Sequence, residues 1–232
     1  MTAVLALDGV GRVYDSPAGP VTALDGVSFE VAAGDLVAII GPSGSGKSTL
    51  LNTLGLLDRP TAGRYLLNGE DTAGLPEAAR TRLRAQHIGF VFQAFHLVGH
   101  KTAVANVTLP LMYNRRPRRE RREQAEQALI RVGLEHRLRA LPHTMSGGEK
   151  QRVAIARATV HEPLLLLCDE PTGNLDTDTS ATVMELLGDL ARGGLAVVVV
   201  THDLAVAEAA DRVLRVRDGR LTEVGAGRAG ND

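Results

Sequence analysis

The segment GPSGSGKST, Gly41 to Thr49, carries glycines, a lysine and hydroxyls at the spacing of the P-loop pattern G-x-x-x-x-G-K-[ST]. Gly41, Gly44 and Gly46 permit a tight backbone path through Pro42, Ser43 and Ser45 that aims consecutive N–H groups at phosphate oxygens. The helix expected next adds its positive end, about half a charge. Lys47 supplies a mobile ammonium for the terminal phosphates, and the Ser48 hydroxyl is positioned to ligate Mg²⁺. A chance glycine-rich turn is the bland alternative, and the apolar run LVAII immediately upstream disfavours it, because the motif requires strand, loop and helix in that order.

LLLLCDE, Leu164 to Glu170, reads as a buried strand ending in two carboxylates, where an open α/β sheet places its ligand groups. Asp169 is the natural partner of Mg²⁺. Glu170, one residue past the strand, can polarise a water against the γ-phosphate as a general base. Without the P-loop, two solvated acids would be the better reading; with it, nucleotide hydrolysis is favoured. SGGE, Ser146 to Glu149, has the S-x-x-E form of a capping box ahead of a helix over Lys150 to Thr159. Its two glycines cost helix propensity, about 1 kcal/mol each, and leave N–H groups open to an anion. One active site already has its P-loop, so a second phosphate-binding face makes sense if it serves another copy of the chain.

These residues need a scaffold. Leu36 to Ile40, Ile88 to Val91, Leu164 to Cys168 and Ala196 to Val200 are apolar runs without alternation, as expected of strands buried on both faces of a parallel sheet. Runs at Val4 to Leu7 and Val27 to Val31, around the turn-like Asp15 to Pro20, predict an antiparallel edge near the start. No comparable strand lies between Thr102 and Thr159, where Ala125, Ala128, Leu129 and Val132 recur at helical spacing. A terminal hairpin, Val213 to Val216 and Leu221 to Val224, turns at Asp218-Gly219. The expectation is an α/β core interrupted by a helical lobe.

Composition bounds the function. The chain has 232 residues, 26 Lys+Arg against 27 Asp+Glu, and a net charge of −1, so no global basic field exists to hold nucleic acid. Its longest apolar runs fall far short of the roughly 20 residues that span a bilayer. No basic leader precedes Asp8 and Arg12, and the single Cys168 cannot form an intramolecular disulfide, which together point to a cytoplasmic location. The run RRPRRERR, Arg115 to Arg122, reads first as a solvated face and second as a surface for anionic lipid or an acidic partner loop.

In order and spacing the motifs resemble those of the ATP-binding cassette (ABC) ATPases: Gly41 to Thr49 looks like Walker A, Ser146 to Gln151 like the signature, and Leu164 to Glu170 like Walker B. The resemblance runs from about Leu5 to Val224. It continues with Gln93 in the Q-loop position, Gly173 to Asp176 in the D-loop position, His202 in the switch position, and Tyr14 like the aromatic that stacks on adenine. Met145 and Lys150 depart mildly from the usual signature and leave Ser146, Gly147 and Gly148 intact. The resemblance implies a P-loop NTPase core with a mostly parallel sheet, an N-terminal antiparallel β subdomain and an inserted helical lobe. The core takes about 1–92 and 160–232, and the Q-loop and signature lobe about 93–159. It implies ATP and Mg²⁺ as ligands, with Ser48, Gln93 and Asp169 on the metal. Glu170, His202, Lys47 and Gln93 are the implied catalytic residues. The other implied nucleotide contacts are Tyr14, the Gly41 to Thr49 loop, Ser146 to Gly148 and Asp176.

A head-to-tail homodimer is also implied, with Ser146 to Gly148 of one copy closing on ATP held by the other. The segments VTALDGVSFEV, Phe92 to Leu97, Asn106 to Leu111 and DEPTGNLD are similar to one branch of the family. Its stand-alone ATPases serve lipoprotein-release, macrolide or peptide export and cell-division complexes, each with a separate integral membrane partner. The implied location is the cytoplasmic face of the membrane, held there by that partner. The alternative within the branch is force transmission to cell-wall hydrolases without cargo. Phe95 and Leu97 are expected to line a groove for a short helix of the partner.

Overall fold

The uninterrupted apolar runs form the middle of a six-stranded sheet in the computed structural model, which describes residues 3–17, 19–113 and 117–226. In chain order the elements are β1 (Ala3–Tyr14), β2 (Val21–Ala32), β3 (Leu36–Ile40), α1 (Lys47–Leu54), β4 (Ala62–Leu67), β5 (Glu70–Asp71), α2 (Glu77–His87) and β6 (Ile88–Phe92). Then follow α3 (Ala103–Thr108), α4 (Arg118–Arg131), α5 (Gly147–Thr159), β7 (Leu165–Asp169), α6 (Thr177–Arg192), β8 (Ala196–Val200), α7 (Leu204–Glu208), β9 (Arg212–Arg217) and β10 (Arg220–Ala226).

The large sheet has the order β10-β9-β3-β8-β7-β6, parallel throughout except for the β9–β10 hairpin. Every residue of β3 and β8 is buried, which is why no alternation shows in their sequences. The pleat still sorts their side chains. Ala38, Ile40, Leu166, Cys168, Val197 and Val199 join one core with helices α3 to α6. Val37, Ile39, Leu165, Leu167, Val198 and Val200 join a second core with α1 and the four-stranded antiparallel sheet β2-β1-β4-β5. Each strand is a partition between two cores.

The antiparallel edge extends further than its apolar runs foretell, because β1 and β2 pair from Ala3↔Ala32 to Tyr14↔Val21 with several register shifts. Gly9, Gly11 and Gly26 break the alternation there, so only the apolar centres stand out in the sequence. β4, β5 and α2 have no counterpart in the sequence expectations. β4 is stabilised by tertiary contacts instead: Tyr65 is fully buried and its hydroxyl donates to Leu54 O at 2.7 Å. Between Thr102 and Thr159 the described elements are helical, with Ala125, Ala128 and Leu129 buried as their spacing predicts. The final hairpin turns at Asp218 (φ 52°) and Gly219 (φ 75°), the left-handed pair of a type I′ turn.

Candidate functional site

Three adjacent parallel strands, β3, β8 and β7, end at one edge of the large sheet, and the chemistry-bearing residues leave from those ends. The loop Gly41–Gly46 leaves β3, Asp169 closes β7 with Glu170 next, and Thr201 and His202 follow β8. Apart from the buried Ser45 and Thr201, these residues line, with Val21, Thr22 and Ala23 of β2, a cleft of about 640 Å³ whose wall includes Gly41 to Gly44, Gly46 to Thr49, Asp169, Glu170 and His202. Gly46 caps α1 at φ 109°, and a Cβ there would stand 2.5 Å from Ala23 O. Only glycine lets the loop rest on β2 in that conformation. Ser45 is buried beneath the loop.

Lys47 Nζ donates to Gly41 O at 2.7 Å and Pro42 O at 2.8 Å. The ammonium therefore lies folded over its own loop. Burial raises the Asp169 carboxyl above its usual range, the adjacent Glu170 charge adds to the rise, and Lys47 opposes it. Two carboxylates, a folded-back lysine and a glycine-lined loop fit an anionic ligand that brings a cation with it. A bound divalent cation would relieve the Asp169–Glu170 repulsion, and phosphate oxygens would take Lys47 from the carbonyls. Among the described residues no group of three or more His, Cys, Asp and Glu could hold a metal by itself.

Glu170 is a non-glycine residue at φ 47°, an unfavourable backbone state fixed by the bond from its N–H to Val200 O at 2.9 Å. His202 Nδ1 donates to Glu170 Oε1 at 2.8 Å, and Thr201 Oγ1 donates to Glu170 Oε2 at 3.2 Å. The hydrogen bond and charge of Glu170 raise His202 above its ordinary pKa.

Other expected site residues are not among those lining this cleft. Gln93, after β6, donates from Nε2 to Asn174 Oδ1 at 3.3 Å, while Asn174 Nδ2 donates to Gln93 O at 2.8 Å. Tyr14 bonds through its hydroxyl to Asp58, with the Arg12 guanidinium 4.2 Å from its ring centroid. Asp176 is the N-cap of α6, accepting from Thr179 N at 2.9 Å. Ser146 caps α5 in the expected box: Glu149 N donates to Ser146 Oγ at 3.2 Å and Ser146 N to Glu149 Oε2 at 2.9 Å. The helix starts at Gly147, earlier than Lys150, because the box recruits both glycines into its first turn. Only Ser146 and Gly147 remain open there, since Gly148 is buried.

The matches to known proteins decide the family. The profile described as ABC transporter covers residues 24–173. The chain belongs to the ABC transporter family. It is an ATP-binding, ATP-hydrolysing cassette of a transporter. The lipoprotein-releasing system ATP-binding protein LolD 2 of Caulobacter vibrioides is 49% identical over 219 residues, 94% of this chain and 96% of that protein. The macrolide export ATP-binding/permease protein MacB 2 of Aeromonas hydrophila is 44% identical over 95% of this chain, which spans 34% of that longer protein. A dimeric post-hydrolysis structure of the ATP-binding cassette MJ0796, bound to ADP and Pi, superposes with a TM-score of 0.86 at 39% identity, covering 97% of this chain and all of that one. The cassette thus has the fold its motifs imply, an α/β P-loop core with an antiparallel sheet beside a parallel one. Sequence reasoning gave Thr201 and, within the Gly173 to Asp176 segment, Asn174 no functional role of their own, and it missed the Val21–Ala23 wall of the cleft; the wall carries no chemical signature, being seen only through strand pairing.

Proposed function

We propose that this cassette works as a head-to-tail homodimer beneath a separate integral membrane permease, on the cytoplasmic face, and that the complex exports or extracts a lipoprotein, a peptide or a drug. The observation that carries this reading is the separation of the phosphate-binding groups into two faces. Gly41 to Thr49, Asp169, Glu170 and His202 share one cleft, whereas the exposed Ser146 and the open turn after it lie outside that cleft. A second copy supplies to each cleft the face that one chain cannot.

In this reading the Gly41 to Thr49 loop cradles the phosphates and Lys47 exchanges its two carbonyls for phosphate oxygens. Ser48, Gln93 and Asp169 would hold Mg²⁺, which when bound offsets the charge of the phosphate oxygens. Glu170 accepts a proton from the attacking water as its oxygen bonds to the γ-phosphorus and the bond to the bridging oxygen breaks, releasing ADP. His202 holds the γ-phosphate, Tyr14 stacks on adenine, and Asp176 reaches across the dimer. Closure moves the lobe at about 93–159 against the core at about 1–92 and 160–232, and Gln93 links the two. Nucleic acid is not a partner of this reading.

The partner's docking place in the lobe is a groove between α3 and α4, lined by Val104, Ala105, Thr108 and Met112 together with Lys101, Arg118 and Arg139, while Arg122 there is already paired with Glu126. Such a surface suits an amphipathic helix with acidic flanks. Affinity purification of the tagged chain from solubilised membranes tests the reading. Recovery of an integral membrane protein with ATPase activity stimulated by a lipoprotein, peptide or drug supports it, and a monomeric, partner-free ATPase would defeat it.

A further inference from the structure

We infer that Thr201 is a positioning residue for hydrolysis: its buried hydroxyl pins one oxygen of the Glu170 carboxylate and thereby sets the direction in which the other oxygen meets water. The inference rests on the proposed role of Glu170 as the group that takes the water's proton.

The two oxygens of Glu170 are held by consecutive residues at the end of β8, and the two holders differ in kind. The His202 side chain is 75% exposed, so its contact with Oε1 is open to water and can be exchanged for another acceptor. Thr201 is fully buried. Its hydroxyl accepts from Asp203 N at 3.0 Å, which leaves its single proton to be donated, and Glu170 Oε2 at 3.2 Å is where it goes. That distance is long for O–H···O, as catalytic hydrogen bonds in a free enzyme commonly are before the closed complex tightens them.

The backbone reinforces the pin. Thr201 N donates to Ile39 O at 3.1 Å and Glu170 N to Val200 O at 2.9 Å, so the strand that ends in the phosphate loop, the strand bearing Thr201 and the left-handed Glu170 are laced into one unit. A carboxylate on a strained residue at the end of a strand has rotational freedom about χ2 and χ3. The Thr201 bond removes part of it without touching nucleotide. When His202 turns to the γ-phosphate, Thr201 is the holder that stays.

The test is steady-state ATPase kinetics on the purified full-length chain. Thr201→Val keeps the shape and removes the hydroxyl; Thr201→Ser keeps the hydroxyl and removes the methyl. The expected result is a fall in kcat of about tenfold or more for Thr201→Val, with KM for ATP within about twofold of the parent, and near-parental kcat for Thr201→Ser. A role in packing alone predicts the opposite order, since the buried methyl is lost only in Thr201→Ser. Parental kcat in Thr201→Val, or an equal fall in both variants, overturns the inference. Should Thr201→Val not fold, Thr201→Ala set against Thr201→Ser makes the same comparison. Glu170→Gln keeps the two readings separable: parental turnover there removes the role of Glu170 itself, whereas an inactive Glu170→Gln beside a fully active Thr201→Val removes only that of Thr201.

Discussion

Gly148, in the first turn of α5, faces Thr179 of α6 so closely that a Cβ on the glycine would stand 2.3 Å from Thr179 Cγ2. Thr179 is itself fixed, since its hydroxyl donates to Asp176 Oδ2 at 2.8 Å. The second glycine of the signature therefore has a packing reason independent of any anion. Gly148→Ala is expected to destabilise the chain by about 1–3 kcal/mol through overpacking, measured by urea unfolding. Adding Thr179→Ser deletes Cγ2 and keeps the hydroxyl, so the double variant should recover much of the loss. No recovery would mean that the methyl is not what the glycine avoids.

Glu170→Gln should retain ATP binding and lose hydrolysis by roughly 10²-fold or more, because an amide keeps the shape but cannot take a proton from water. With ATP and Mg²⁺ the variant should elute as a dimer on size exclusion and as a monomer without them. Parental turnover would free Glu170 from its assigned role.

The exposed face at Ser146 and Gly147 acts, in the proposed reading, only on nucleotide held by a second copy. Lys47→Ala and Gly147→Asp chains are each expected to be inactive. Mixed, they should regain part of the activity, because a heterodimer contains one site free of both lesions. Zero activity in heterodimers verified by two different tags would refute independent turnover by one composite site.

His202 and Glu170 form an ion pair that exists only while the imidazole is protonated. Since the folded-state pKa of His202 is raised, the pair's contribution to stability is complete below the unfolded value of about 6.5 and is lost as pH rises through the folded one. The imidazole is exposed, so the effect on stability is small and NMR titration is the better readout. His202 should titrate above 6.5 in the parent chain and move down in Glu170→Gln. An unchanged midpoint would mean that Glu170 is not the cause of the shift.

How much of this was legible in the sequence follows from where each signal is local. The P-loop, the Asp169–Glu170 pair and the capping box are short motifs whose geometry is set within a few residues, and each was readable with its element. β3, β7 and β8 were readable because burial on both faces writes a continuous apolar run. β4 and α2 were not, since Ala62–Leu67 mixes Gly63 and Arg64 with one buried aromatic, and α2 buries Arg80, whose guanidinium donates to Leu56 O and Asp58 O. Thr201 carried no signal because its chemistry depends on strand β8 lying beside β7, a long-range pairing. Arg115 and Arg116 of the basic run lie outside the described residues, while Arg119 and Arg122 pair with Glu123 and Glu126 on the exposed face of α4.

The groove proposed for the membrane partner differs from the Phe95–Leu97 surface expected from the sequence, and the difference gives the last prediction. Leu97 is half-buried and packs against the lobe core, and Phe95 (φ 56°) belongs to a loop held by Arg157, whose guanidinium donates to Phe95 O at 2.8 Å. Neither residue lines the groove between α3 and α4. Leu97→Asp should therefore lower the melting temperature, since a carboxylate replaces an apolar contact at the core's edge. Met112 is different: it lines the groove and is 61% exposed. Met112→Asp should leave melting and basal ATPase near parental values while weakening capture of the membrane partner, by adding an anion to a surface matched to acidic flanks. Thermal melting and co-purification on both variants decide the matter. If Leu97→Asp melts normally and loses the partner while Met112→Asp still binds it, the docking surface lies at the Phe95–Leu97 loop and the α3–α4 groove is not the site.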